Sequence, residues 1–65
     1  MTAHQVDWTY DNGTMRLAAG VEWADPLVRA EVRSDARVLY QAIRRPVVIA
    51  DSRGEPIETV PAVAS

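Results

Sequence analysis

Apolar and polar residues alternate along the first third of the chain. The apolar members of this alternation are Val6, Trp8, Tyr10, Met15, Leu17, Ala19, Val21 and Trp23. A period of two residues is typical of half-buried strands. Between the two runs, Asn12-Gly13 favours a type I′ turn, which needs positive φ at both central residues. The pattern predicts a β-hairpin over residues 5–23, with Trp8 and Trp23 on its apolar face and a bulge or bend at Gly20.

A helical pattern follows the predicted hairpin. Asp25-Pro26 is a typical helix start, because Asp caps the free N–H groups and Pro fits the first helical position. Four apolar residues then share one helical stripe, namely Val28, Val32, Leu39 and Ile43. An alternative is a strand over 27–33 followed by a shorter helix over 36–44. We prefer one helix over 26–44, with a possible break at Ser34-Asp35.

The last third of the chain predicts a second hairpin. Pro46 ends the helix, and Val47 to Ala50 form a buried type of strand. Residues 51–54 have turn chemistry, and a second strand runs from Pro56 to Val60. The fold class is therefore α+β, a small β-hairpin–helix–β-hairpin unit, with a mainly β meander carrying one short helix as the alternative. We expect residues 5–60 to form a single domain, and residues 1–4 and 61–65 to be extended terminal arms.

Size and composition narrow the classes of function. A chain of 65 residues without cysteine has no disulfide or thiolate metal site to stabilise a small core. The single histidine, His4, does not make a metal site or a catalytic base arrangement by itself. Association with another chain is the remaining way to stabilise such a small domain, and we expect a homo-oligomer or a subunit of a larger shell. No apolar run is long enough to cross a membrane, and the N-terminus does not resemble a secretory signal.

Charge is unevenly distributed along the chain. Residues 1–25 carry four acidic side chains and one arginine, residues 26–45 carry five arginines and two acidic side chains, and residues 46–65 are acidic again. All seven basic residues are arginine, which indicates a GC-rich genome. Acidic flanks repel phosphate, so nucleic acid is an unfavourable partner and a protein partner is favoured. We expect the protein in a virion or in the host cytoplasm.

The sequence contains no motif for catalysis, for a cofactor or for a small-molecule substrate. Our candidate site residues are therefore interface residues. They are predicted from an arginine face of the helix opposite the apolar stripe, from tryptophans typical of interfaces, and from apolar anchors at the end of the last strand and in the C-terminal arm. These candidates are Arg29, Arg33, Arg37, Trp8, Trp23, Val60 and Val63. Arg44 lies on the same predicted face of the helix. The simpler alternative is that the arginines form a solvent-exposed face of the helix that binds no partner.

From these observations we expect a non-enzymatic structural or accessory subunit of a larger assembly. A capsid decoration protein of a tailed bacteriophage with a GC-rich genome is the class that best fits the small size, the composition and the absence of catalytic motifs. The competing class is a small regulatory binding protein, either an antitoxin-like protein associated with DNA or a phage inhibitor of a host protein.

Overall fold

The computed structural model describes residues 8–61, and the predicted N-terminal arm and Val63 lie outside them. The elements are β1 (Trp8–Asp11), β2 (Thr14–Leu17), α1 (Pro26–Ile43), β3 (Val47–Ala50) and β4 (Pro56–Val60). They form one four-stranded sheet in the order β1-β2-β3-β4 with α1 against it. The outer pairs are antiparallel and the central pair β2–β3 is parallel, since α1 carries the chain back to the starting end of the sheet. The α+β prediction is confirmed.

The first hairpin closes through a two-residue turn. Asn12 and Gly13 have φ values of 50° and 89°, so both central residues adopt the positive φ that the type I′ turn requires. Asp11 then pairs with Thr14. Positive φ costs asparagine and glycine less conformational energy than it costs most other residues. The turn therefore forms at Asn12-Gly13.

The second strand of this hairpin is shorter than the alternation predicts. β2 ends at Leu17, and Gly20 with φ 92° turns the chain away from the sheet. Trp23 therefore lies in the connection to the helix and does not share the hairpin face with Trp8. The prediction of one continuous run to Trp23 is wrong, because small residues at 18–20 provide little to bury while glycine permits the turn. The predicted bend at Gly20 is observed.

A single unbroken helix spans Pro26–Ile43. The side chain of Asp25 accepts a hydrogen bond from the backbone N–H of Leu27 at 2.9 Å, and Pro26 occupies the first turn. The helix ends at Arg44, which adopts a left-handed conformation and donates its N–H to the carbonyl of Tyr40 at 2.7 Å. The alternative strand over 27–33 and the break at Ser34-Asp35 do not occur.

The second hairpin is organised by one carboxylate. Oδ1 of Asp51 accepts hydrogen bonds from the backbone N–H groups of Arg53 and Glu55, each at 2.9 Å. Gly54, at φ 89°, donates its N–H to the Asp51 carbonyl. The register shifts between Ile49 and Ala50, which indicates a bulge on the facing strand at the start of β4.

One face of the sheet carries the core. Its buried side chains are Met15, Leu17, Val47, Ile49 and Val60 from the strands and Val32 and Ala36 from α1. The predicted apolar stripe of the helix is on this side, although Val28, Leu39 and Ile43 are only partly buried, whereas Ala36 is fully buried. The opposite face of the sheet carries the row Thr14, Val48 and Thr59, whose side chains are all partly exposed.

Candidate protein-binding groove

Arg33 of the helix and Glu58 of β4 form a bidentate ion pair. Arg33 Nε donates to Glu58 Oε2 at 2.7 Å, and Arg33 Nη2 donates to Glu58 Oε1 at 2.8 Å. Two parallel charge-assisted hydrogen bonds fix the orientation of both side chains as well as attracting them. The pair therefore joins the middle of α1 to the edge strand of the sheet.

This ion pair changes the pKa of both groups. Hydrogen bonding from Arg33 lowers the pKa of Glu58 below its ordinary value, and the positive charges of Arg33 and Arg29 act in the same direction against the opposing effect of burial. The hydrogen bond to Glu58 raises the pKa of Arg33 in turn. Arg33 and Glu58 are 42% and 29% exposed, so water screens the attraction and the pair orients the helix more than it stabilises the fold.

Trp23 completes the arrangement around Arg33. The guanidinium carbon of Arg33 lies 5.5 Å from the centroid of the Trp23 ring, within the range of a cation–π contact. Arg33 is thus held by an aromatic ring and by a carboxylate. We predicted that Arg33 lies on the helix face opposite the packed side. This is wrong for Arg33, because its long side chain reaches the sheet edge and binds Glu58 there.

A groove with a volume of about 910 Å³ runs between α1 and β4. We call it the α1–β4 groove; it is lined by Arg33, Arg37, Tyr40 and Gln41 of the helix and by residues 58–61 of the strand side. Arg37 is exposed, and within residues 8–61 no carboxylate lies at ion-pair distance from it. The groove therefore combines partly apolar walls with an arginine that is free to pair with an incoming acidic group.

The other predicted interface residues lie in different places. Trp8 is on edge strand β1, and its Nε1–H donates to Asp35 Oδ2 at 2.8 Å, which joins the opposite edge of the sheet to the helix. Arg29 is half-buried near Glu58. Val60 is buried in the core and also borders the groove, so it contributes to the wall rather than projecting from it. The structure brings Trp23, Arg33 and Arg37 to one side of the helix and leaves Trp8 on the other.

Several groove residues were not among the sequence candidates, including Glu58, Tyr40, Gln41 and Pro61. A signal for Glu58 exists in the sequence. Side chains in a strand alternate between faces, so a buried Val60 directs Glu58 towards the same packed face. A carboxylate on that face needs a cation, and the arginine-rich helix is the available source. Tyr40, Gln41 and Pro61 have no such signal.

A second, acidic depression of about 470 Å³ lies at the other end of the helix. Its lining includes Glu22, Asp25, Leu27 and Glu31, together with the loop 18–21. Leu27 is 80% exposed, which makes it the most exposed large apolar side chain in the described part of the chain. We call Leu27 with its three neighbouring carboxylates the Leu27 patch.

Comparison with protein-family models, curated proteins and solved structures gives no match to this chain. Within residues 8–61, no helix has both the length and the apolar character that crossing a bilayer requires. The same part of the chain contains no group of three or more histidine or acidic side chains arranged to hold a metal ion. The functional argument therefore depends on the surfaces described above.

Proposed function

We propose that this protein is a non-enzymatic accessory subunit that docks onto a protein partner through the α1–β4 groove. The observation that carries the proposal is the position of Arg37, an exposed cation beside the apolar surface of Tyr40 and Val60 and next to an edge strand. Arginine beside an aromatic residue is a typical composition of interface hot spots. The edge strand offers unpaired backbone groups for an extended segment of the partner.

The open face of the sheet is a weaker candidate for docking. Four strands of about four residues cover only about 250 Å², given the usual strand spacing and rise. A stable interface buries about 800 Å² on each partner. The α1–β4 groove offers a more varied surface, because it combines an exposed arginine, an aromatic ring and an edge strand, so it supports the proposal better.

The larger assembly that we propose is a virion, with this chain as a capsid decoration protein of a tailed bacteriophage with a GC-rich genome. Small size and the use of arginine without any lysine support this class. The competing proposal remains a small regulatory binding protein, either antitoxin-like and associated with DNA or inhibiting a host protein. Its DNA-binding form has less support, because Arg33 is already paired with Glu58 and acidic side chains flank the helix.

Sedimentation of lysates from the cells or virus that encode the chain tests this function. We expect the wild-type protein in a fast-sedimenting particle at a fixed stoichiometry. Arg37→Glu should release it to the top of the gradient, because the groove would repel an acidic group. Arg53→Glu in the exposed β3–β4 turn makes the same charge change outside the groove and should sediment as the wild type does. A slow-sedimenting wild-type protein that binds DNA with a steep salt dependence would support the regulatory alternative instead.

A further inference from the structure

The α1–β4 groove and the Leu27 patch are complementary surfaces on the same chain. The groove presents Arg37 beside partly apolar walls, and its other arginine is neutralised by Glu58. The Leu27 patch presents an exposed leucine surrounded by three carboxylates, none of which pairs with an arginine within the described residues. An apolar side chain with an acidic rim therefore matches an apolar groove with a basic rim in both charge and polarity.

The two surfaces are separate, which decides the kind of contact they can make. They share no residue: the helical part of the groove begins at Arg33, whereas the patch ends at Glu31. Both surfaces can therefore be occupied on the same molecule at once. A contact that joins two different surfaces is heterologous, and it produces rings or filaments rather than a closed dimer.

We infer that a second copy of this chain occupies the groove, with Leu27 of one copy inserted between α1 and β4 of the next and Glu31 or Asp25 paired with Arg37. The inference rests on the proposed function of the groove and names its occupant. A symmetric contact of groove with groove is disfavoured, because it would bring the two Arg37 side chains together, and patch with patch would bring six carboxylates together. Head-to-tail association is the arrangement that pairs opposite charges.

Sedimentation velocity over a series of concentrations tests the inference on the full chain. We expect the mass to grow beyond a dimer as concentration rises and to fall when salt is added. Arg37→Glu and Leu27→Asp should each abolish association, since the first makes the groove acidic and the second removes the apolar tip. Both positions are exposed, so the variants should fold, which circular dichroism checks. Val38→Asp is the control, because Val38 is 63% exposed on the same helix but borders neither surface.

Mixing the two defective variants tests directly whether the groove of one copy binds the patch of another. Arg37→Glu keeps an intact patch, and Leu27→Asp keeps an intact groove. An equimolar mixture should therefore form a 1:1 complex that does not grow further, because the remaining two surfaces are both disabled. The double variant Arg37→Glu with Glu31→Arg exchanges the charges and should regain association with itself.

Several outcomes would overturn the inference. In the concentration series, the inference is contradicted if the wild-type chain stays monomeric at every concentration or if its association stops at a dimer. In the mixing experiment, it is contradicted if the two variants remain monomeric. Failure of this inference can be distinguished from failure of the proposed function. If Arg37→Glu still releases the protein from its particle while the pure chain is monomeric, the groove binds a different protein. If neither experiment responds to Arg37, the groove is not a docking site.

Discussion

The first hairpin turns on two residues with positive φ, whereas the second turns through a loop held by the carboxylate of Asp51. The two hairpins also differ in what they bury. β2 supplies two buried side chains, and β1 supplies none, since Trp8 and Tyr10 are only partly covered. The second hairpin buries four, three from β3 and one from β4, and α1 lies closest to these two strands.

This difference shows that the two β-hairpins are stabilised in different ways. The first hairpin depends chiefly on local backbone conformation, because its outer strand has little core to bury and its register follows from the turn. The second hairpin depends chiefly on burial against the helix, together with the hydrogen bonds to Asp51 and the ion pair at its outer strand. Substitutions that alter backbone freedom should therefore affect the first hairpin, and substitutions that alter packing should affect the second.

The largest effect should come from Ile49→Ala in β3. Ile49 is fully buried, and removing three carbons from such a site costs about 3 kcal/mol through lost burial and a residual cavity. Val48→Ala, next to it on the half-exposed opposite face, should cost about 1 kcal/mol or less. Chemical denaturation of both variants checks the difference. Equal losses would show that the core is not confined to the helix side of the second hairpin.

Gly13→Val tests the local origin of the first hairpin. A Cβ added at Gly13 meets no atom within 4 Å, so the expected loss of about 1–2 kcal/mol comes from forcing a β-branched residue into positive φ. Gly13→Asn should cost less, because asparagine tolerates this region. Thermal unfolding measures both. An unchanged melting temperature for the valine variant would contradict a type I′ turn.

Asp51→Ala removes the acceptor that organises the second turn. Two backbone N–H groups lose their partner, and they are exposed enough for water to replace it in part, so we expect a loss of about 1 kcal/mol. Asp51→Asn keeps the Oδ1 acceptor and should retain most of the stability. Denaturation curves distinguish the two variants, and identical losses would mean that the charge matters more than the hydrogen bonds.

Trp8→Phe tests the contact that joins the first hairpin to the helix. It keeps most of the apolar surface and removes the Nε1–H that donates to Asp35, so the expected loss is about 0.5–1 kcal/mol. Asp35→Asn retains an acceptor and should be nearly neutral. Hydrogen exchange of β1 gives the local readout. Unchanged exchange in the phenylalanine variant would show that β1 is held by the turn and sheet hydrogen bonds alone.

Glu58→Gln should have the smallest effect at neutral pH and the clearest dependence on pH. The pKa of Glu58 in the folded chain is below its ordinary value of 4.5, so the unfolded chain binds more protons in this range. The stabilisation is therefore present above about pH 4.5 and is lost as pH falls through the folded pKa. Denaturation of wild type and variant should converge in acid. Glu55→Gln, outside any ion pair within the described residues, is the control; a constant difference between wild type and Glu58→Gln would contradict the linkage.

Much of the fold follows from local signals. Asn12-Gly13, Asp25-Pro26 and the residues around Asp51 each restrict the backbone or supply a nearby acceptor, so the turns and the helix start are predictable from a few neighbours. The predicted end of β2 is wrong, because the alternation of apolar and polar residues continues to Trp23 whereas the strand ends at Leu17. The signal for the earlier end is that residues 18–20 are too small to bury much apolar surface. The interface residues stay a prediction, and the surroundings of each long side chain depend on elements distant in the sequence.

The sequence by itself determined the elements, their order and the positions of the two tight turns, because these depend on interactions over a few residues. Tertiary structure decided that β2 and β3 pair in parallel and that a groove forms beside β4. It also decided that Arg33 lies at the sheet edge, whereas Arg37 has no carboxylate partner within residues 8–61. The physical reason is that Arg33 and Arg37 are equivalent in local chemistry and one turn apart on the same helix. They differ because Arg33 meets Glu58, 25 residues further along the chain, and the ring of Trp23.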